Sequence, residues 1–418
     1  MFLPTARSTG LLLPLLVSVL VVAQQAAAPP EPEPIIEQIK KCVVFLEGTY
    51  SVNVVGTVNG ATRQAPQERQ LSATGFLIRI PEPRIGPDAG LVYLVTNKHV
   101  IREPNASGIL GEGPYLADLR MRINTKEPGP DGTQYQSSVV PVIDNLGSLQ
   151  WFVDLDDETV DLAVTPVAFD PRVLDFKTIQ PELFATAEFL NKEKINENDE
   201  ILFAGLFAWH AGVKKNYPIV RHGKLSLLAK ERIPLDRRRP ERTVEVYLAD
   251  VMSFGGNSGS PVFLRVGGIR ERPQIAIGGF SYYLLGVMEG FFPEGMEFAV
   301  EIAEHKGMAA QNSGIAAVIP VDRILHILDT PRARAYREAA IASHYAEIGN
   351  LQSAEKSFAE AIGILERAAP EHSDLAVALE GYARVLVQLK RPLEARIAEL
   401  HARRIRSATV TDRVHPRM

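Results

Sequence analysis

Between about Ile35 and Val321 the chain runs as a series of short apolar segments divided by turn-forming clusters, and this pattern limits its fold more than any other feature. Residues 42–46 (CVVFL), 75–78 (GFLI), 92–95 (VYLV), 162–164 (LAV), 201–204 (ILFA) and 243–247 (TVEVY) favour extended backbone, and Gly, Pro, Asn and Asp separate them. Segments this short, with turn signals between them, pair as the antiparallel strands of a sandwich or barrel. No alternation of strands with helices is visible there, which argues against a doubly wound parallel sheet.

After Pro331 the periodicity changes. Leu375, Ala378, Leu379, Tyr382, Ala383 and Leu386 recur at the spacing of one helix face, as do Ala354, Phe358, Ala361, Ile362 and Leu365. Gly349-Asn350 and Lys390-Arg391-Pro392 interrupt these stretches, and Pro392 suits the first turn of a new helix. The two halves superpose with an offset of 41 residues, so that Ile348 falls on Leu389 and Ala354 on Ala395. This is similar to a pair of tetratricopeptide-type helical hairpins, a resemblance that implies protein–protein contact; a generic four-helix extension is the other reading. Two hairpins bury little surface, so they are expected to pack on the β region or on another copy.

The first residues do not belong to either pattern. Arg7 precedes the apolar run 11–23 (LLLPLLVSVLVVA), and small residues follow, which is the layout of an export signal. Residues 1–28 are therefore expected to be a signal peptide or N-terminal anchor, making the protein periplasmic or secreted, with membrane contact only through that segment. Residues 29–38, rich in proline, are expected to be an extended linker, residues 39–330 the β domain, residues 333–408 the helical hairpins, and residues 409–418 a basic tail. The 45 basic and 50 acidic residues give no electrostatic basis for binding nucleic acid. Cys42 is the lone cysteine, which excludes an intrachain disulfide and a cysteine-type zinc site.

Candidate chemistry sits at three places in the β region. His99 follows the apolar strand ending at Val95-Thr96, where a ring is held rigidly while it reaches a cleft. Asp161 opens the apolar stretch Leu162-Ala163-Val164, where a half-buried carboxylate needs a hydrogen-bonded partner. In Gly255-Gly256-Asn257-Ser258-Gly259-Ser260-Pro261, glycines on both sides of a serine permit a tight turn whose backbone N–H groups converge on one point.

Together, and in this order, the three resemble the trypsin-like serine peptidases. Thr96-Asn97-Lys98-His99 stands for the histidine motif, Asp161-Leu162-Ala163-Val164 for the aspartate motif and Gly256-Asn257-Ser258-Gly259-Ser260-Pro261 for the serine motif. Asn257, and Gly314-Ile315-Ala316-Ala317-Val318-Ile319-Pro320 as a closing strand, resemble the HtrA-type branch. The resemblance, over about residues 40 to 328, implies an all-β, double-barrel chymotrypsin-like domain ahead of the small all-α domain. It implies a serine endopeptidase in which Ser258 attacks, His99 takes the proton, Asp161 orients the ring, and the N–H groups of Gly256 and Ser258 receive the oxyanion. The substrate would be a protein or peptide, no metal or organic cofactor is needed, and the helices would hold a partner.

The resemblance further puts Met252 at the base of the primary specificity pocket, which favours small or apolar P1 side chains. It makes residues 286–290, with Val287 and Met288, a substrate-pairing edge strand. Residues 264–270 are expected to be a hairpin turn and residues 291–313 a loop over the cleft. Asn97-Lys98 in place of two small residues, and Ser260 in place of glycine, depart from the family. They keep open the alternative of a catalytically silent fold that serves as a binding scaffold.

Overall fold

The computed structural model describes residues 33–58, 61–105, 112–234, 241–267, 280–300 and 305–411. The expected export segment, residues 1–28, lies outside the described residues, as do residues 29–32 of the expected linker and residues 412–418 of the expected basic tail. Among the described residues, no helix is long and apolar enough to cross a membrane.

A short helix α1 (Ile35–Lys41) precedes a first sheet made of β1 (Val43–Val58), β2 (Ala61–Pro81), β3 (Gly90–Thr96), β4 (Asp118–Asn124), β5 (Tyr135–Pro141), β6 (Phe152–Val153) and β7 (Ala163–Pro166), in the spatial order β5-β4-β1-β2-β3-β7-β6. Helix α2 (Ala187–Lys192) leads to β8 (Glu200–Gly205) and β9 (Ile219–Leu227), followed by a two-stranded ribbon of β10 (Ile233–Pro234) and β11 (Thr243–Val244). With β12 (Tyr247–Asp250), β13 (Pro261–Gly267), β14 (Phe280–Val300) and β15 (His305–Pro320), β8 and β9 close a barrel in the order β12-β15-β14-β13-β8-β9. The expected pair of antiparallel β bodies is thus present, and hydrogen bonding closes the second.

At the centre of the first sheet, in β1, β2 and β3, both faces are buried. Val43 and Phe45 of β1 join one apolar cluster, while their neighbours Val44 and Leu46 join another. Phe76 and Ile78 divide from Leu77 in the same way. The first cluster does not stop at the sheet. It continues through Leu202, Phe263, Val287 and Ile319 of the barrel and reaches Ile324 and Ile327 beyond it. The two β bodies therefore share one core, and the seam between them is fixed.

Helices α3 (Val321–Leu328), α4 (Pro331–Glu347), α5 (Leu351–Ala368), α6 (Ser373–Gln388) and α7 (Pro392–Thr411) complete the chain. The helical region begins twelve residues earlier than expected, because α3 starts directly after β15 and seals the barrel. Ala354, Phe358, Ala361, Leu375, Ala378, Leu379, Ala383 and Leu386 are all buried, as the periodicity requires. Gly381 permits α5 and α6 to approach closely: a Cβ there would lie 2.5 Å from the Phe358 ring.

The helices pack on the β region. Tyr336 meets Phe152 edge to face at 5.9 Å. Arg84 holds the buried Glu338 by two hydrogen bonds of 2.8 and 3.0 Å. Arg332 donates to the Trp151 carbonyl at 2.8 Å and to Asp374 at 2.7 Å. Burial alone would raise the Asp374 carboxyl, but the Arg332 charge and the hydrogen bonds from His372 and Arg332 bring it down to about 2.

Three local expectations need correction. Residues 35–38 are not linker but the start of α1, whose Cys42 cap donates its Sγ–H to the Gln38 carbonyl. Residues 291–313 are not a loop. Apart from residues 301–304, which are not described, they continue β14 and β15 as a long hairpin, and register shifts next to Gly290 and Pro293 absorb the turn-like residues. Of the expected turn at residues 264–270, residues 264–267 are strand β13 and residues 268–270 lie outside the described residues.

Candidate active site

The site is built at the seam. Strand β3 ends at Thr96, and a single 3-10 turn over Lys98–Ile101 carries His99. Asn97 is fully buried and its side-chain amide donates to the Asp161 carbonyl at 2.9 Å, while Lys98 Nζ donates to the Glu158 carbonyl at 2.7 Å. The two residues that depart from the family motif thus staple the aspartate loop to the histidine turn. The Asp161 carboxylate grips His99 twice. One oxygen accepts the His99 backbone N–H at 2.8 Å, and the other lies 2.5 Å from Nδ1. A proton on Nδ1 leaves Nε2 with its lone pair free to accept. Burial alone would lower the imidazole pKa, but the charge of Asp161 and its hydrogen bond outweigh it and raise the value.

Ser258 comes from the barrel side, on the turn before β13. Asn257 shapes this turn. Its side chain accepts the Phe254 N–H at 2.8 Å and donates to the Leu206 carbonyl at 2.7 Å. Gly256 and Gly259 adopt φ of +93° and +82°, where a side chain is strained. Gly259 is also pressed against the other body: a Cβ would come within 2.1 Å of the Thr74 carbonyl and 2.4 Å of Thr96 Oγ1. The serine turn therefore lies against the strand end that carries His99, three residues further on. Among the described residues the N–H groups of Gly256 and Ser258 have no acceptor, as an oxyanion site requires.

Thr74 ties these parts together, and nothing in the sequence pointed to it. Its N–H donates to the Ser258 carbonyl at 3.0 Å and its hydroxyl donates to the Gly256 carbonyl at 2.7 Å. The same oxygen accepts the Leu206 N–H at 2.9 Å, and the Thr74 carbonyl accepts from the Thr96 hydroxyl at 2.8 Å. Glu289 was also overlooked. Burial, and then the negative charge of Asp161, push its carboxyl well above the usual carboxylate range against the pull of Arg242 and Lys98. Its carbonyl accepts the Ser258 hydroxyl at 3.2 Å. No hydrogen bond joins that hydroxyl to His99 among the described residues.

The expected specificity residues fare differently. Residues 286–288 are not an edge. They pair with β13 on one side and β15 on the other, and Val287 and Met288 are fully buried. The Met288 N–H and carbonyl are taken by Ser260 and Gly259. β14 loses its β13 neighbour after Val287, and the serine turn covers Met288, so only from Glu289 onward is that side of β14 unpaired among the described residues. Met252 is 44% exposed, with its sulfur beside Gly314.

Ser260 does not reach the site. It is fully buried, its hydroxyl has no hydrogen-bond partner among the described residues, and a Cβ on the neighbouring Gly205 would lie 2.1 Å from it. An orphan buried hydroxyl costs about 1–3 kcal/mol. Ser260→Ala is accordingly expected to raise the thermal midpoint by about 2–4 °C for each kcal/mol regained. Scanning calorimetry of the two proteins checks this, and a lower midpoint in the variant contradicts it.

A half-buried imidazole–carboxylate pair and a glycine-bounded serine turn, brought to the seam of two antiparallel β bodies, form the layout of a domain of the serine peptidase type. The comparison with family models agrees: residues 73–268 match the model of the trypsin-like peptidase domain, a span that holds His99, Asp161 and Ser258. That match spans a little under half of the chain. No curated protein matches the chain.

Proposed function

We propose that the protein is a serine endopeptidase that works through His99, Asp161 and Ser258. The observation that carries this reading is the double grip of Asp161 on His99, which fixes the ring with Nε2 free, on a strand end that abuts the Ser258 turn. The Ser258 hydroxyl turns about χ1 from the Glu289 carbonyl to His99 Nε2. Its oxygen bonds to the substrate carbonyl carbon while its proton passes to Nε2. The oxyanion is received by the Gly256 and Ser258 N–H groups. The tetrahedral intermediate expels the amine, which takes the proton from His99. Water then repeats the sequence on the acyl-enzyme, and the acid product leaves with Ser258 restored.

Labelling tests this directly. A serine-reactive fluorophosphonate is expected to modify Ser258 of the folded protein, read by mass spectrometry of its peptide. Folded protein that stays unmodified contradicts the reading. It would favour the silent scaffold instead, whose support is the hydrogen bond that occupies the hydroxyl at rest.

The pH profile follows from the raised imidazole pKa. His99 must be neutral to take the proton, so kcat/KM falls on acidification through a midpoint above the ordinary histidine value of about 6.5. Asp161→Asn removes the charge that raises it, so the midpoint moves down and the rate drops by roughly 10⁴-fold. A pH–rate series on both proteins measures this, and an unshifted midpoint counts against it.

The uncharged Met252 offers a basic P1 side chain no anionic partner, which supports small or apolar P1 residues. On α7, Leu393, Ile397 and Leu400 form an exposed apolar stripe at helical spacing, which supports a protein-interaction role for the tetratricopeptide-like hairpins. The N-terminal apolar run supports export to the periplasm or outside the cell.

A further inference from the structure

Asp154 follows β6 and is buried, with its side chain wholly shielded from solvent. One carboxylate oxygen accepts the N–H groups of Asp156 and Asp157 at 3.0 and 2.9 Å, which fixes where the other oxygen points. That second oxygen has no hydrogen-bond partner among the described residues. It lies 3.7 Å from His326 Nε2 of α3, and the same nitrogen lies 3.8 Å from an Asp156 carboxylate oxygen. One ligand atom from each of Asp154, Asp156 and His326 falls within 4.8 Å of the other two.

A buried carboxylate oxygen without a donor is costly unless a cation answers it. Arg323 does not do so at hydrogen-bonding distance. Its guanidinium is bound to Glu245 and stands 3.9 Å from Asp154 and 3.9 Å from Asp157. Asp157 is itself committed to Arg232 at 2.7 Å.

We propose that Asp154, Asp156 and His326 bind a divalent transition-metal ion of the zinc class. Imidazole nitrogen with carboxylate oxygen is the donor set such ions take, at roughly 2.0–2.2 Å from the metal. In a tetrahedral arrangement those bonds set the ligand atoms about 3.3–3.5 Å apart, so the three need draw together only slightly. The Asp156 side chain is 86% exposed and His326 47% exposed, which leaves them free to make that movement and a fourth position open to water.

The ion would clasp the loop after β6 to α3. That loop runs on through Asp157, which accepts the Thr159 N–H at 3.0 Å and the Val160 N–H at 3.1 Å, to Asp161. The site is distinct from the serine chemistry and acts as a brace for the segment that delivers Asp161.

The test uses the full chain, stripped with a chelator and titrated with Zn²⁺ alone by calorimetry. The wild type is expected to take up one ion with a rise in thermal midpoint, and Co²⁺ to give visible d–d absorption of a low-coordinate site. His326→Ala and Asp156→Asn, both at exposed positions, each weaken binding by about tenfold or more. His99→Ala, the control for stray binding at the other imidazole–carboxylate pair, leaves it unchanged. Absence of uptake by the wild type overturns the proposal. So does uptake that survives in both ligand variants, or that disappears with His99→Ala.

Discussion

If the protein is the serine peptidase proposed, Ser258→Ala is expected to lower peptide hydrolysis by about 10⁶-fold while the protein stays folded. The size of the loss reflects how the site works as a unit. Without the hydroxyl no acyl-enzyme forms, and the Asp161–His99 pair has no proton to take. What remains is the binding surface and the two N–H donors of Gly256 and Ser258, which have no hydrogen-bond partner among the described residues. These alone supply a residual acceleration of roughly 10³–10⁴ over water. The fold is not at risk, because among the described residues the Ser258 side chain makes a single hydrogen bond, to the Glu289 carbonyl at 3.2 Å. The turn itself is held by Asn257 and Thr74. Progress curves on a quenched peptide substrate, with far-ultraviolet circular dichroism as the folding control, measure the effect. Undiminished hydrolysis by the variant would mean that another group carries the reaction.

Removing residues 331–418 is expected to lower the thermal midpoint of the remaining chain by at least about 10 °C and to make it aggregate. The helices are part of the β region's own packing. Their loss uncovers Phe152, which Tyr336 covers, and Ile85 and Ala89, which pack on Ile341. It also takes away Ala333 and Ala340, which belong to the shared apolar core. Arg84 loses Glu338, and the Trp151 and Leu149 carbonyls lose Arg332 and His372. Each large apolar group exposed costs about 1.5–3 kcal/mol, so the total exceeds about 5 kcal/mol. At roughly 2–4 °C for each kcal/mol, the midpoint falls by ten degrees or more. Differential scanning fluorimetry with light scattering of the two chains checks this. An equal midpoint would mean that the hairpins are only appended.

The strands were legible in the sequence because the centre of the first sheet is buried on both faces. In residues 43–46 every side chain meets apolar neighbours, alternately in one cluster and the other, so the run is continuous rather than alternating. The helices were legible for a different reason: Phe358, Ala361 and Leu365 of α5 repeat at the spacing of one face. The hairpin beyond Phe291 was not, because Pro293 and Gly295 resemble turn residues. Only the neighbouring strand, through shifts in register, accommodates them. The histidine, aspartate and serine segments stood out by local chemistry. Thr74 did not, since its partner Gly256 lies 182 residues away and a threonine in an apolar strand carries no signature. Residues 286–288 misled because apolar character alone does not distinguish an edge strand from one paired on both sides.

Cys42, at the junction of α1 and β1, has a further consequence. Its Sγ–H is directed to the Gln38 carbonyl, the side chain is buried, and that burial pushes the thiol up to about 12. The thiolate, the form that attacks disulfides and oxidants, is therefore almost never present at neutral pH. The covalent framework of this chain is indifferent to the redox potential around it, and it needs no thiol-handling helper to reach or keep its native connectivity.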